Sequence, residues 1–124
     1  TRFHLVFFVR APNVERFVAI TKKIVDNLNI ELTEADIAFL QDFVSYAEDI
    51  KVDFPDDLKK RIVEFTKGLK SNEKDYLVDI SPRLVHGIVR LATASARISL
   101  RRKVLDHDLE VAERIMKTSL EIVK

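Results

Sequence analysis

The chain has 124 residues, of which 47% are hydrophobic, and this is enough for one domain with a buried core. It contains no cysteine, which excludes disulfides, a thiolate nucleophile and cysteine zinc sites. The formal net charge of +1 does not by itself indicate a nucleic-acid partner.

The chain opens with a continuous apolar run, FHLVFFV, at residues 3–9. Such a run is typical of a strand that is covered on both faces. No second convincing strand follows it. We therefore expect either a strand whose pairing partners lie outside these residues, or an extended segment that packs alone. The run is too short for a membrane span or a signal peptide.

Two helices with clear start signals are predicted next. Asn13 can cap a helix that runs to about Leu28, and Thr33 with Asp36 resembles the capping box of a helix that runs to about Ile50. Apolar residues recur at helical spacing in both. The predicted inward residues are Val14, Phe17, Val18, Ile24, Val25 and Leu28 in the first helix, and Ile37, Leu40, Phe43, Val44 and Ala47 in the second.

A third and a fifth helix flank the most informative segment. The third is predicted from about Asp57 to Leu69, after a break at Phe54-Pro55. The fifth follows a short extended link and is capped by Asp106. Their predicted inward residues are Leu58, Ile62, Phe65 and Leu69 in the third helix, and Leu109, Ala112, Ile115, Met116, Leu120 and Val123 in the fifth. The fold class is therefore mainly α.

The fourth predicted helix, from Ile80 to Leu100, has an unusually basic face. Ser81 is a good N-cap and Pro82 suits the first turn. At 100° per residue, one sector of about 60° contains five basic side chains. They are Arg83, His86, Arg90, Arg97 and Arg101. No acid lies between Asp79 and Asp106, and a row of arginines that begins in the first turn predicts anion or phosphate binding.

The charge distribution supports this interpretation. Residues 80–105 contain six cations and no acid, so the rest of the chain sums to −5. A basic segment on a mildly acidic body suggests a side that faces phosphate or acidic groups.

Residues 80–116, ISPRLVHGIVRLATASARISLRRKVLDHDLEVAERIM, closely resemble the end of the AAA+ domain of minichromosome-maintenance (MCM) replicative helicases. There, I-T-x-R-x-L-E-x-L-I-R-L-A-x-A-x-A-R is followed by V-x-x-x-D-hydrophobic-x-x-A. The opening TRFHLVF resembles the family's S-R-F-D-L-I-F, and FVSYA at residues 43–47 resembles Y-I-A-Y-A. The matching positions in the longest segment are Ile80, Arg83, Val89, Arg90, Leu91, Ala92, Ala94, Ala96, Arg97, Val104, Asp108 and Ala112.

The resemblance implies an organisation and two site residues. Residues 1–10 would be the last strand of an AAA+ core, and residues 11–124 a five-helix lid subdomain. Arg2 would be the arginine finger, supplied in trans to the ATP of a neighbouring subunit. Arg83 would be the sensor-2 arginine, a catalytic and nucleotide-binding group that also reaches a nucleotide held by an adjacent subunit.

The resemblance also implies a parent assembly. MCM proteins form hexameric rings that encircle DNA and couple ATP hydrolysis to unwinding in replication. ATP and Mg²⁺ would belong to that assembly, and neighbouring MCM or AAA+ subunits and DNA would be its partners. We expect an intracellular location, cytoplasmic at an archaeal-type nucleoid or nuclear, with no membrane partner. These residues contain no G-x-x-x-x-G-K-[ST] loop, so we expect no ATP binding or hydrolysis by the chain alone.

The sequence departs from the family pattern at two positions. His4 replaces an Asp and His86 replaces a Glu, and each change removes a carboxylate that could orient an arginine. With His107, these histidines have no ligand-like spacing, so no metal site is predicted. The basic face of Arg90, Arg97 and Arg101 is open to a structural or solvated role, or to packing against DNA or an acidic surface.

Two other functions are compatible with the residues. One is a non-catalytic MCM-derived helical module that acts in interaction or regulation. The other is a small histone-like DNA-binding protein, because the helix, short link and capped helix of residues 81–123 form half of that architecture.

Overall fold

The computed structural model of the protein describes residues 3–76 and 78–121. Within these ranges the chain forms five α-helices and one short 3₁₀ turn at Glu73–Asp75. The helices are α1 Val14–Asp26, α2 Glu34–Glu48, α3 Asp56–Ser71, α4 Pro82–Ile98 and α5 Asp106–Glu121. No helix in the described ranges is long and apolar enough to cross a membrane.

The N-terminal segment, residues 3–9, is extended but belongs to no sheet, so the predicted strand is not confirmed. No described residue lies in a strand, and the one isolated β-bridge joins Asp53 to Lys103. A strand requires a neighbouring strand for its backbone groups. Here the Val6 N–H donates to the Ser119 hydroxyl at 3.1 Å, and that hydroxyl donates to the Val6 carbonyl at 2.9 Å. The segment is therefore bonded to α5 through Val6 and not to a neighbouring strand.

The predicted starts of α1 and α2 are confirmed. The Asn13 side chain accepts the Arg16 N–H at 2.9 Å. Thr33 and Asp36 form a complete capping box, in which each side chain accepts the other residue's backbone N–H at 3.1 Å. These caps depend only on residues three apart, so local sequence is sufficient to specify them.

The predicted inward faces of α1 and α2 are wrong for most positions. No residue of α1 is buried, and Phe17 on that helix is 60% exposed. In α2 Ala47 is buried and Phe43 is half-buried, whereas Ile37, Leu40 and Val44 are exposed. An amphipathic pattern shows that a face is suited to burial, but it does not show what covers it.

The core lies among α3, α4 and α5. Its fully buried members include Ile88, Ala92 and Ala96 on α4 and Leu109, Ala112 and Met116 on α5. Ser95 contacts Asp108, and Gly87 faces Met116, so residue numbers rise on one helix as they fall on the other. The two helices are therefore antiparallel, and their alanines allow close approach. The predicted apolar stripe of α3 is confirmed, with Leu58, Ile62 and Leu69 buried and Phe65 half-buried.

Helix α4 ends at Ile98, two residues earlier than predicted. Leu100 has a positive φ of 56°, and its N–H donates to the Arg97 carbonyl at 2.8 Å. The Arg101 N–H reaches back to the Ala96 carbonyl at 2.9 Å. This pair of bonds is a Schellman motif with leucine in the left-handed position that glycine usually occupies. Arg101 therefore lies beyond the helix and does not continue its basic face.

The start of α5 also differs from the prediction. Asp106 is the first residue of the helix, and its side chain is 75% exposed. The backbone N–H of Leu105, just before the helix, is bonded instead by the Asp108 carboxylate at 2.8 Å. Asp108 thus supplies the carboxylate half of a capping box from the third helical position.

Candidate functional site

A cavity of about 570 Å³ lies where the start of α4 meets the N-terminal segment and the end of α5. Its polar lining consists of His4, Asp79, Ser81, Arg83 and Ser119. The remaining walls are apolar and include Phe3, Leu84 and Leu120. The cavity therefore combines an apolar shell with a few polar groups, as small-ligand sites do.

Arg83 lies in the first turn of α4 and lines this cavity with an exposed side chain. No acidic residue occupies that turn, and the Ser81 side chain makes no capping hydrogen bond. The first turn of a helix carries the positive end of the helix dipole, which adds to the guanidinium charge. Among the residues that line the cavity, Asp79 is the one acidic group and Arg83 is the one arginine.

Arg2, the predicted arginine finger, lies outside the described residues. The next residue, Phe3, lines the cavity that Arg83 also lines.

Arg90 lies two turns after Arg83 on the same side of α4, and its side chain contacts the N-terminal segment. Its Nη1 lies 3.4 Å from the Nε2 of His4. The other ring nitrogen of His4, Nδ1, is buried and has no hydrogen-bond partner in the described part of the chain. His86, by contrast, is exposed and does not line the cavity.

Arg97 and Arg101 are bonded within the fold. The half-buried Arg97 donates from Nε to the Ile50 carbonyl at 3.0 Å and so ties the end of α2 to α4. Arg101 forms a two-pronged ion pair with Asp108, through Nη1 and Nη2. The absence of acids within the α4 sequence predicted an unneutralised row of arginines, but α5 supplies the missing carboxylate for Arg101.

Asp108 is the one fully buried charged residue in the described ranges. Besides Arg101, it accepts hydrogen bonds from the Ser95 hydroxyl at 2.7 Å and the Leu105 N–H at 2.8 Å. Burial by itself raises the pKa of Asp108. The hydrogen bonds from Arg101, Leu105 and Ser95 lower the pKa by a larger amount, so it is about 2. The sequence analysis missed this residue as a structural centre. The spacing of Asp108 three residues after Leu105, ahead of an apolar run, could have indicated it.

A second arginine network joins α3 to α5. Arg61 on α3 pairs with Glu113 at 3.1 Å, and its other amino group lies 3.8 Å from Asp106 and 4.0 Å from Glu110. The hydrogen bond that Arg61 donates to the Glu113 carboxylate raises the pKa of Arg61. This network is at the far end of α5 from the cavity, since Asp106 begins that helix and Leu120 lies near its end. It therefore stabilises the bundle and takes no part in the site.

One comparison with known proteins identifies the fold. The family model of the MCM AAA-lid domain matches residues 38–120, about two thirds of the chain. The chain belongs to the MCM AAA-lid family. The match begins within α2 and extends to the end of α5, so it includes Arg83, Arg90, Arg97 and Arg101.

The family match clarifies which site residues belong to the lid. The cavity is built partly by the lid, through Ser81, Arg83 and Ser119, and partly by the N-terminal segment that precedes the matched region, through Phe3 and His4. The described part of this MCM lid contains no cluster of three or more His, Asp or Glu arranged to hold a metal ion.

Proposed function

We propose that this chain acts as the lid of an MCM-type ATPase, in which Arg83 is the sensor-2 arginine that contacts a nucleotide bound by a neighbouring subunit. Arg2 is the arginine finger for the same nucleotide. The observation that carries the proposal is the place of Arg83: an exposed guanidinium in the acid-free first turn of α4, on the wall of a cavity, within the region that matches the family.

The residues suit a phosphate ligand. A guanidinium is always charged and can bond two phosphate oxygens at once, and the adjoining helix start adds further positive potential. An arginine finger that stabilises charge on the transferring phosphoryl group contributes about 10³–10⁵ in rate. ATP with its Mg²⁺ supplies the phosphoryl chemistry in the assembly, and this chain contributes the two arginines that meet it.

The exposed surface supports assembly with other parts of an ATPase ring. The chain exposes 10,043 Å². A compact monomer of 14.3 kDa is expected to expose about 6,800 Å². The excess is larger than the total area of about 1,600 Å² that a standard protein interface buries. Much of it lies on α1 and α2, whose apolar faces we assign to contacts within a hexameric, DNA-encircling ring.

The structure favours this proposal over a histone-like DNA-binding protein. That alternative needs a row of cationic side chains available to phosphates. Arg97 and Arg101 are engaged by the Ile50 carbonyl and by Asp108. Arg83 and Arg90 are exposed on α4, but Arg90 also contacts His4, so the helix offers a small surface for duplex binding.

The test is a chimaera in which residues 1–124 replace the corresponding C-terminal part of an MCM ATPase. We expect ATP hydrolysis and DNA unwinding by the chimaera, and a loss of at least about 100-fold in turnover with Arg83→Ala. Arg83→Lys should restore only part of it, since lysine keeps the charge but loses the fork. Arg102→Ala, which removes an exposed cation remote from the cavity, is the control and should retain full turnover.

Two outcomes would contradict the proposal. An active chimaera in which Arg83→Ala matches Arg102→Ala would remove the sensor-2 role. A chimaera that assembles into rings but hydrolyses no ATP would favour the non-catalytic interaction module.

A further inference from the structure

The N-terminal segment is attached to the α4–α5 pair at two successive points. Val6 exchanges two hydrogen bonds with the Ser119 hydroxyl on α5. His4 lies against Gly87 on α4, and its ring reaches Arg90 one turn further along. Residues 4 and 6 are therefore fixed to different helices of the lid, on the side where the cavity lies.

Gly87 has no side chain, and this allows His4 to approach α4 closely. A methyl group at this position would lie 3.0 Å from Met116 Cε and 3.2 Å from His4 Cβ. A glycine inside a helix is unfavourable for helix stability, and at Gly87 the close packing gives a reason for it. Gly68 offers the contrast, because a methyl group there would meet nothing within 4 Å. The close packing at Gly87 shows that the segment and α4 fit each other at this point.

The contact between His4 and Arg90 is a polar contact between the N-terminal segment and α4. Arginine can only donate, so a hydrogen bond at this contact requires Nε2 of His4 to be the acceptor. Arg90 has no carboxylate partner in the described part of the chain, and its contact with His4 is 3.4 Å long. A neutral ring nitrogen is a weaker acceptor for a guanidinium than a carboxylate is. The His4–Arg90 contact, called the joint below, is therefore specific to these two residues but weak.

We propose that His4 and Arg90 are positioning residues that join the segment following Arg2 to the helix that carries Arg83, so that the two arginines approach a nucleotide as one unit. The inference rests on the proposed function. Arg83 and Arg90 lie about 10.5 Å apart along one helix axis. The His4–Arg90 contact thus joins the N-terminal segment to the helix that carries Arg83.

The first test measures the joint in the chain itself. Amide hydrogen exchange of Val6 reports detachment of the segment, since this N–H is bonded to Ser119. His4→Asp places a carboxylate opposite Arg90, and we expect exchange at Val6 to slow about two- to fivefold. In the double variant His4→Asp with Arg90→Ala this gain should vanish. A gain of the same size without Arg90 would overturn the proposal.

Gly87→Ala supplies an independent measurement. The added methyl group would lie 3.2 Å from His4 Cβ, so His4 must shift by a few tenths of an ångström, and we expect faster exchange at Val6. Gly68→Ala is the matched control, a glycine-to-alanine change in a helix with open space around it, and it should leave exchange at Val6 unchanged. Equal exchange rates in the two variants would show that the segment is not held at Gly87 and would contradict the inference.

The second test asks whether the joint serves catalysis. In the chimaera described above, we expect His4→Ala and Arg90→Ala each to lower kcat about three- to tenfold with little change in the KM for ATP, and the double variant to lose no more than either single one. His4→Asp should raise kcat only when Arg90 is present. If Arg83→Ala abolishes turnover but His4→Ala and Arg90→Ala leave kcat unchanged, the joint is not functional and the sensor-2 role stands. If Arg83→Ala also has no effect, both proposals fall.

Discussion

Arg101 and Asp108 meet across the turn between α4 and α5 in a two-pronged ion pair, in which the carboxylate is completely buried. The same carboxylate also bonds Ser95 on α4 and the backbone at the start of α5. One side chain therefore fixes the end of one helix, the turn and the start of the next. It sets the geometry of the helix pair whose other end carries Arg83.

We expect Asp108→Asn to destabilise the fold by about 3–5 kcal/mol, because it removes the charge that compensates Arg101 and leaves buried groups poorly matched. Urea unfolding followed by circular dichroism measures the change. Asp106→Asn, two residues earlier on the same helix, is the matched control. Its side chain is 75% exposed, so the expected change is under about 1 kcal/mol. Equal losses of folding stability in the two variants would show that the burial of Asp108 does not contribute to stability.

The depressed pKa of Asp108 predicts a specific loss of stability in acid. In the unfolded chain this carboxyl has its ordinary pKa near 3.9, whereas in the fold the pKa is about 2. Because the pKa of Asp108 is lower in the folded state, the ionised carboxylate stabilises the fold. This stabilisation is fully present above pH 4 and is lost as the pH falls through 2. The contribution amounts to about 2 kcal/mol. Between pH 5 and 2 the difference in free energy of unfolding between the wild type and Asp108→Asn should therefore narrow by about 2 kcal/mol, and a constant difference would contradict this assignment.

We expect the substitution Leu100→Gly to increase the stability of the fold. Its positive φ of 56° places a branched side chain in the left-handed region, which costs an ordinary residue about 1–2 kcal/mol. Leu100→Gly removes this strain but adds about 0.4–1 kcal/mol of unfolded-state entropy. The side chain is 47% exposed, so some buried contact is also lost. We expect a net gain of about 0.5 kcal/mol, visible as a higher Tm.

The control for this substitution is the preceding residue. Ser99 has a φ of −83°, which any residue adopts without strain. Ser99→Gly should therefore lower the Tm, because only the entropic term changes. If both glycine variants lower the Tm equally, the left-handed turn at Leu100 carries no strain.

The two helical glycines predict opposite responses to alanine. Gly68→Ala meets open space and should stabilise α3 by about 0.5–1 kcal/mol, the usual difference in helix propensity. Gly87→Ala should destabilise the fold, because its methyl group would press on Met116 and His4. Thermal unfolding of both variants tests this, and a Gly87→Ala variant that gains as much stability as Gly68→Ala would contradict the close packing at Gly87.

The sequence was sufficient to predict those structural features that depend on residues close together in the chain. The caps at Asn13 and Thr33, the start of α4 at Pro82 and the stripe of α3 all follow from residues a few positions apart. Predictions that needed a distant partner were less accurate. The role of Asp108 depends on Arg101 across a turn that only the left-handed Leu100 makes possible.

Two further differences arise from surfaces whose partners are not among these residues. The apolar run at residues 3–9 has the composition of a buried strand, yet in this chain it has no strand beside it. The apolar face of α1 has the pattern of a core helix, yet no residue of α1 is buried. Pattern alone shows that these elements are suited to burial, and it cannot distinguish a core within the chain from an interface with another part of an assembly.

The most direct test of the central claim is a mixing experiment with two inactive chimaeras. One has an intact phosphate-binding loop and Arg83→Ala, and the other has a disabled loop and an intact Arg83. If Arg83 acts on the nucleotide of a neighbouring subunit, mixed rings contain interfaces at which one subunit supplies the loop and the other supplies the arginine. We predict that mixing restores ATP hydrolysis that neither chimaera shows alone. Mixed rings that form but remain as inactive as their components would contradict the account.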